Sequence, residues 1–224
     1  MYENLNNNDC DKLSNRNQNL ICFRKSVFAG ICISIGGTIY LSIGGIAGAV
    51  LFAFGLLAVV HYQLPLYTGK AGFIKTKHDA KMLPLILLGN IIGAFFFALA
   101  MKCAKPDLIQ VANSIVEKRV SLNLLQMLIL PIGCGIIMTT VVKFARQKKF
   151  IPLLIGIPVF ILCGFIHSIA DAFYYSMASL STFTDNALSI VIAYICAVIG
   201  NFIGCVLPNE FNFGFFLDAD DNNK

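Results

Sequence analysis

The sequence predicts an all-α membrane protein whose six transmembrane helices form two inverted three-helix repeats, with the second and fifth helices broken. Three observations carry that prediction. Hydrophobic residues make up 57% of the chain and charged ones 13%, and the mean hydropathy is +0.75, values of a chain that dissolves in lipid. Gly89-Asn90-Ile91-Ile92-Gly93 recurs as Gly200-Asn201-Phe202-Ile203-Gly204 near the ends of two halves. Two apolar runs are interrupted, one at Tyr62 to Gly69 and the other at Gly164 to Asp171.

The spans follow from the uncharged runs. Ser26 to Gly69 carries no Asp, Glu, Lys or Arg and is long enough at about 1.5 Å per helical residue for two crossings of a ~30 Å core. Further runs place the spans at 26–42, 45–61, 82–103, 121–144, 151–178 with a break, and 186–208. Residues 1–25 read as a polar, flexible cytoplasmic N-terminal tail, 26–208 as the six-span transmembrane domain and 209–224 as an acidic cytoplasmic C-terminal tail. The Asn-rich start mixes acidic and basic residues and does not read as a signal peptide.

The net charge of +5 follows topology and gives no reason to expect nucleic acid as a partner. With the N-terminus inside, thirteen of the 17 basic residues fall on inner segments, leaving only Lys102, Lys105, Lys118 and Arg119 outside. The positive-inside rule then puts both termini in the cytoplasm of a multi-pass plasma-membrane protein. The eight cysteines lie mostly within spans, with no CxxC pair, so they read as packing residues; no metal site and no cofactor is expected.

In chain order, Gly30, Ser34, Gly36 and Gly37 give the first span the small residues that let membrane helices approach. The second span runs into Tyr62-Gln63-Leu64-Pro65-Leu66-Tyr67-Thr68-Gly69, where Pro and Gly lie too close for a continuous helix. This stretch is either a pore loop or the cytoplasmic end of the helix. The doubled Gly-Asn motif reads as an internal duplication, and three spans per half invert one half relative to the other. Inverted repeats with breaks in corresponding helices mark a permeation site at the midplane. In the fifth span the break carries His167, with Asp171 one turn later; ionisable groups at that depth face a polar path or cavity. An enzyme would need clustered catalytic groups there, and the spans offer nearly none beyond these two. His61 and His78 read as interfacial side chains.

Leu66-Tyr67-Thr68-Gly69, Phe160, the segment Gly164 to Asp171 and the doubled Gly-Asn motif together resemble the formate/nitrite transporter family, over roughly residues 26–208. The resemblance implies an aquaporin-like protomer assembled as a homopentamer, each protomer with its own pore for small monovalent anions such as formate, nitrite or hydrosulfide. It implies that His167 and Thr68 form the pore centre, with Leu66, Tyr67 and Gly69 in the pore loop. Phe52 and Leu56 would form one apolar constriction and Phe160 part of the other. Lys118 or Arg119 would draw anions from outside, and Asp171 would orient His167 or pair with a nearby Asn. The chain departs from the family at Pro65, where an acidic residue is usual, at Gln63 for Gly or Ser, at Lys70 for Asn, and at Gly135 for Asn in the fourth span.

The implied mechanism has a physical basis. A bare anion is costly in apolar rings, and positive ends of half-helices at the two breaks reduce that cost. His167 supplies a proton or a hydrogen bond, so a weak-acid anion can cross the second ring as a neutral molecule. The alternative class is an aquaporin-like channel for water or small neutral solutes, against which stands the absence of paired Asn-Pro-Ala loops.

Overall fold

The computed structural model describes residues 7–211, with side chains from Asn17 onward. Among them the chain is all-helical: α1 (Asn7–Ile43), α2 (Gly45–His61), α3 (Tyr67–Ala71), α4 (Lys77–Ala104), α5 (Leu108–Val120), α6 (Leu124–Arg146), α7 (Ile151–Leu162), α8 (Ser168–Met177), α9 (Leu180–Asp185) and α10 (Ala187–Glu210). Within α1 from Asn17, and in α4, α6 and α10, the helix is long and apolar enough to cross a membrane. At about 1.5 Å per residue, α2 with 17 residues and α7 with 12 are each shorter than a ~30 Å core.

Several boundaries differ from the sequence expectation. The stretch expected as a flexible tail is helical from Asn7 and joins the first span without a break. Local polarity does not stop a helix that continues from a packed one. On the α4 side, helix begins at Lys77 because Thr76 and Asp79 form a capping box. The Thr76 hydroxyl and the amides of Thr76 and Lys75 all donate to the Asp79 carboxylate. Helices α5 and α9 were not foreseen, and the acidic tail beyond residue 211 lies outside the described residues.

The duplication is visible as one set of contacts made twice. A Cβ on Gly93 of α4 would collide with the Val27 carbonyl of α1, and one on Gly204 of α10 with the Ile132 carbonyl of α6. Gly30 on α1 lies equally tight against the Asn90 carbonyl, and Gly135 on α6 against that of Asn201. Only glycine permits backbones to approach so closely, so α1 with α4 and α6 with α10 form two equivalent tight pairs. The departure at Gly135 is thus a packing requirement of this chain.

Both chain breaks sit against these pairs. Helix α2 ends in a turn closed by the Leu64 amide on the Val59 carbonyl (2.9 Å) and Gln63 on Val60 (3.1 Å). Helix α7 ends in the same turn, Phe165 on Phe160 (2.9 Å) and Gly164 on Ile161 (3.1 Å). Helix resumes at Tyr67 and at Ser168 respectively. Thr68 and Gly69, assigned by sequence to a loop, therefore stand in the first turn of α3.

Candidate pore centre

Backbone groups freed at a chain break need partners when no water can reach them. Here the two repeated asparagines supply them. Asn90 accepts from the Tyr67 amide (2.8 Å) and donates to the carbonyls of Ser26 (2.8 Å) and Pro65 (3.0 Å). Asn201 accepts from the Ser168 amide (2.8 Å) and donates to Pro131 and Ile166, both at 2.8 Å. Both are fully buried. Each amide ties one break to one tight helix pair, a role that the repeat of the motif signalled but did not specify.

Held this way, α3 and α8 bring Thr68 and His167 together. Thr68 Oγ1 lies 2.9 Å from His167 Nε2, with the two residues 0% and 2% exposed. His167 is the N-cap of α8, and its Nδ1 accepts the Ala170 amide at 3.2 Å. An accepting Nδ1 carries no hydrogen, which assigns the ring proton to Nε2. Nε2–H therefore donates to Thr68 Oγ1, and the threonine's own O–H remains to be given to something else.

The apolar side chains close around this pair. The Phe160 ring stacks on His167 (5.8 Å between centroids, 25°) and the Phe52 edge meets Phe160 (6.1 Å, 88°). Phe52 and Phe160, assigned to separate constrictions by the resemblance, are in contact. Leu56 and Leu66 are buried beside them. Two cavities approach the cluster. One, of about 220 Å³, is lined by Phe160, His167, Lys118, Arg119 and Asp171. The other, of about 570 Å³, reaches Leu56, Leu66 and Gly69 and includes Lys70.

Lys118 and Arg119 thus both border the first cavity, but they differ in surroundings. Arg119 Nε bonds to Asp171 Oδ2 at 3.1 Å, and its Nη1 to the Gly164 carbonyl at 3.4 Å. Asp171, 1% exposed, also receives the Tyr175 hydroxyl at 3.4 Å. Both ring nitrogens of His167 are occupied by other groups, so the partner of Asp171 is Arg119 and not the histidine. Tyr67 donates its hydroxyl to the Val198 carbonyl (3.2 Å) and Cys205 its thiol to the Thr68 carbonyl (3.2 Å), while Asn209 bonds Gly72. These α10 anchors were missed by sequence reading, since nothing local marks them. His61 lines the second cavity at the end of α2. No cluster of metal-ligating side chains occurs among the described residues.

A family model described as formate/nitrite transporter matches residues 1–210. The chain belongs to the formate/nitrite transporter family. Membership makes it a membrane transport protein and not an enzyme. This formate/nitrite transporter homologue is 24% identical, over an alignment of 257 residues, to a formate-nitrite transporter of Plasmodium malariae, covering 92% of this chain and 81% of that one. A formate-nitrite transporter of Plasmodium vivax is 22% identical, covering 83% and 73%. Among solved structures it is similar to a pentameric formate channel with formate bound, with a TM-score of 0.79 at 19% identity over 90% of this chain and 99% of that chain. It is also similar to an FNT family ion channel, with a TM-score of 0.71 at 18% identity over 89% and 92%. The fold is therefore that of the family's channels.

Proposed function

We propose that this family member conducts small monovalent anions of weak acids, of the formate, nitrite or hydrosulfide type, through a pore in each protomer centred on Thr68 and His167. The observation that carries the reading is the oriented bond between them. His167 Nε2–H donates to Thr68 Oγ1, which polarises the hydroxyl and directs its hydrogen to an incoming anion. At a site this buried such a donor counts for more than in solution, because little else solvates the charge. The anion is then held by a hydrogen bond, or takes the Thr68 hydroxyl proton while Thr68 takes the His167 Nε2 proton, the ring is reprotonated from bulk solvent, and the neutral acid continues past Phe160 and Phe52.

In this reading α2 with α3, and α7 with α8, each form one broken crossing, making six spans. Lys118, which borders the cavity beside the Arg119–Asp171 pair, is the cation that draws anions on that side. The positive-inside count supports cytoplasmic termini, the pentameric structural neighbour supports a homopentamer, and the location in this reading is the plasma membrane. Protons and bilayer lipid are its other partners.

The test is flux of formate, nitrite and hydrosulfide into proteoliposomes across a pH series. Thr68→Val keeps the shape and removes the donor; it should lower flux by about tenfold or more, the worth of a hydrogen bond to a charged group. His167→Ala should do likewise and change the pH dependence, with the oligomer intact by size-exclusion chromatography. Unchanged flux and pH dependence in both variants would refute the assignment, and water permeation without anion flux would favour the neutral-solute channel.

A further inference from the structure

The cavity that ends on Leu56 and Leu66 holds more than passage of a monovalent anion requires. Among the described residues its wall carries the ammonium groups of Lys70 and Lys148 with Gln63 and His61, and no carboxylate. The cavity on the other side of the pore centre has Asp171 facing Arg119. The two cavities therefore differ in their charged linings, and the two ammonium groups of Lys70 and Lys148 exceed what one monovalent anion balances.

Backbone strain lies in the same place. Among the described residues the non-glycine residues with positive φ are Gln63 (51°) and Lys148 (61°), and both line this cavity. Each occupies the left-handed position of a helix C-terminal turn. For Gln63 the turn is that of α2, and for Lys148 it is closed by Lys149 on the Phe144 carbonyl (3.0 Å) and Lys148 on Ala145 (3.0 Å). Glycine is the residue that such turns favour, and the third turn of this kind uses Gly164 at φ 75°. An amide and an ammonium group are thus kept at two strained positions on one wall, a pattern characteristic of functional sites.

We infer that this cavity binds a soluble polyvalent oxyanion of the phosphate class through the Lys70 and Lys148 ammonium groups and the Gln63 amide, and that the bound anion blocks the pore from that side. Ammonium and amide N–H groups are the donors that phosphate oxygens accept. Leu56 and Leu66 form an apolar floor that a multiply charged ion cannot cross without losing its hydration, so it stays where it binds. The binding clause stands on the cavity alone, while the blocking clause rests on the proposed transport function.

The experiment titrates pyrophosphate into the detergent-solubilised protein by calorimetry. Wild type should bind. Lys148→Gly should weaken binding about tenfold, the effect of losing one charge-assisted contact, and Gln63→Gly by less. Both should hold or raise the melting temperature, because glycine relieves the strain. Lys118→Gln, in the other cavity, should leave binding unchanged. Absence of binding, or equal binding in wild type and both glycine variants, overturns the site, as does an equal loss in Lys118→Gln.

In phosphatidylcholine vesicles, pyrophosphate on both faces should inhibit formate flux through wild type but not through Lys148→Gly, each measured against its own flux without pyrophosphate. Inhibition retained in that variant overturns the blocking clause. Binding without formate flux in any protein would refute the transport reading and leave the site standing. Adding phosphatidylglycerol should leave inhibition in place, and its disappearance would assign the site to a lipid headgroup instead of a soluble ligand.

Discussion

The two chain breaks have the same backbone and different chemistry. In each, a left-handed residue ends one helix, an asparagine amide clamps the strand-like segment, and a short helix restarts. Equivalent positions then carry Gln63 and Gly164, Leu66 and His167, Lys70 and Asp171. Leu66 caps α3 with no side-chain bond, whereas His167 caps α8 through Nδ1. Thr68 and His167 are therefore not symmetry mates: threonine stands two residues past the cap of one half and histidine at the cap of the other. Duplication built the frame, and departures from duplication brought Thr68 and His167 face to face.

The largest effect should come from the shared frame. Asn90→Leu and Asn201→Leu each leave one amide (Tyr67, Ser168) and one break carbonyl (Pro65, Ile166) without a partner, while Ser26 and Pro131 keep their helical bonds; the loss is about 2–6 kcal/mol at about 1–3 kcal/mol per orphaned group. Thermal unfolding in detergent should show similar losses for the two, and a near-neutral result for one alone would mean that its break is held by other contacts.

The next effect is confined to one half. Arg119→Met leaves Asp171 as an unpaired buried carboxylate and should destabilise by about 3–5 kcal/mol. Asp171→Asn should restore most of that stability in the double variant, because the buried charge is then gone. Equal stability of the single and double variants would show that Arg119 acts through the Gly164 carbonyl and not through charge.

The smallest effect tests the turn itself. No atom lies within 4 Å of a Cβ built on Gly164, so Gly164→Gln meets no clash and should cost only the left-handed strain, about 1–2 kcal/mol. A loss far above that would show that the α7 turn tolerates a side chain less well than its α2 counterpart does.

Much of this was legible in the sequence. Uncharged runs gave the apolar helices, because a helix in lipid must satisfy its backbone internally and keep charges out. Pro65, Gly69 and Gly164 located both breaks, and the repeated Gly-Asn motif revealed the duplication. Less legible were the ends. Thr68 lay in a helix, since a five-residue helix has no periodic signature, and α1 extended back to Asn7, since a packed helix carries polar residues beyond its span. Asp171 looked like a partner of His167 by one-turn spacing, but Arg119 on α5 reached it first.

What the sequence by itself determined was the class of molecule, its duplicated halves and the residue types at its centre, all of which are local patterns. The tertiary structure decided which nitrogen of His167 bears the hydrogen, that Thr68 Oγ1 accepts its hydrogen bond, and that Asp171 pairs with Arg119. Those facts depend on side chains far apart in the chain meeting within about 3 Å, where hydrogen-bond geometry operates. No local pattern encodes such a distance; it is set by glycine-tight helix pairs and the two asparagines that hold the breaks between them.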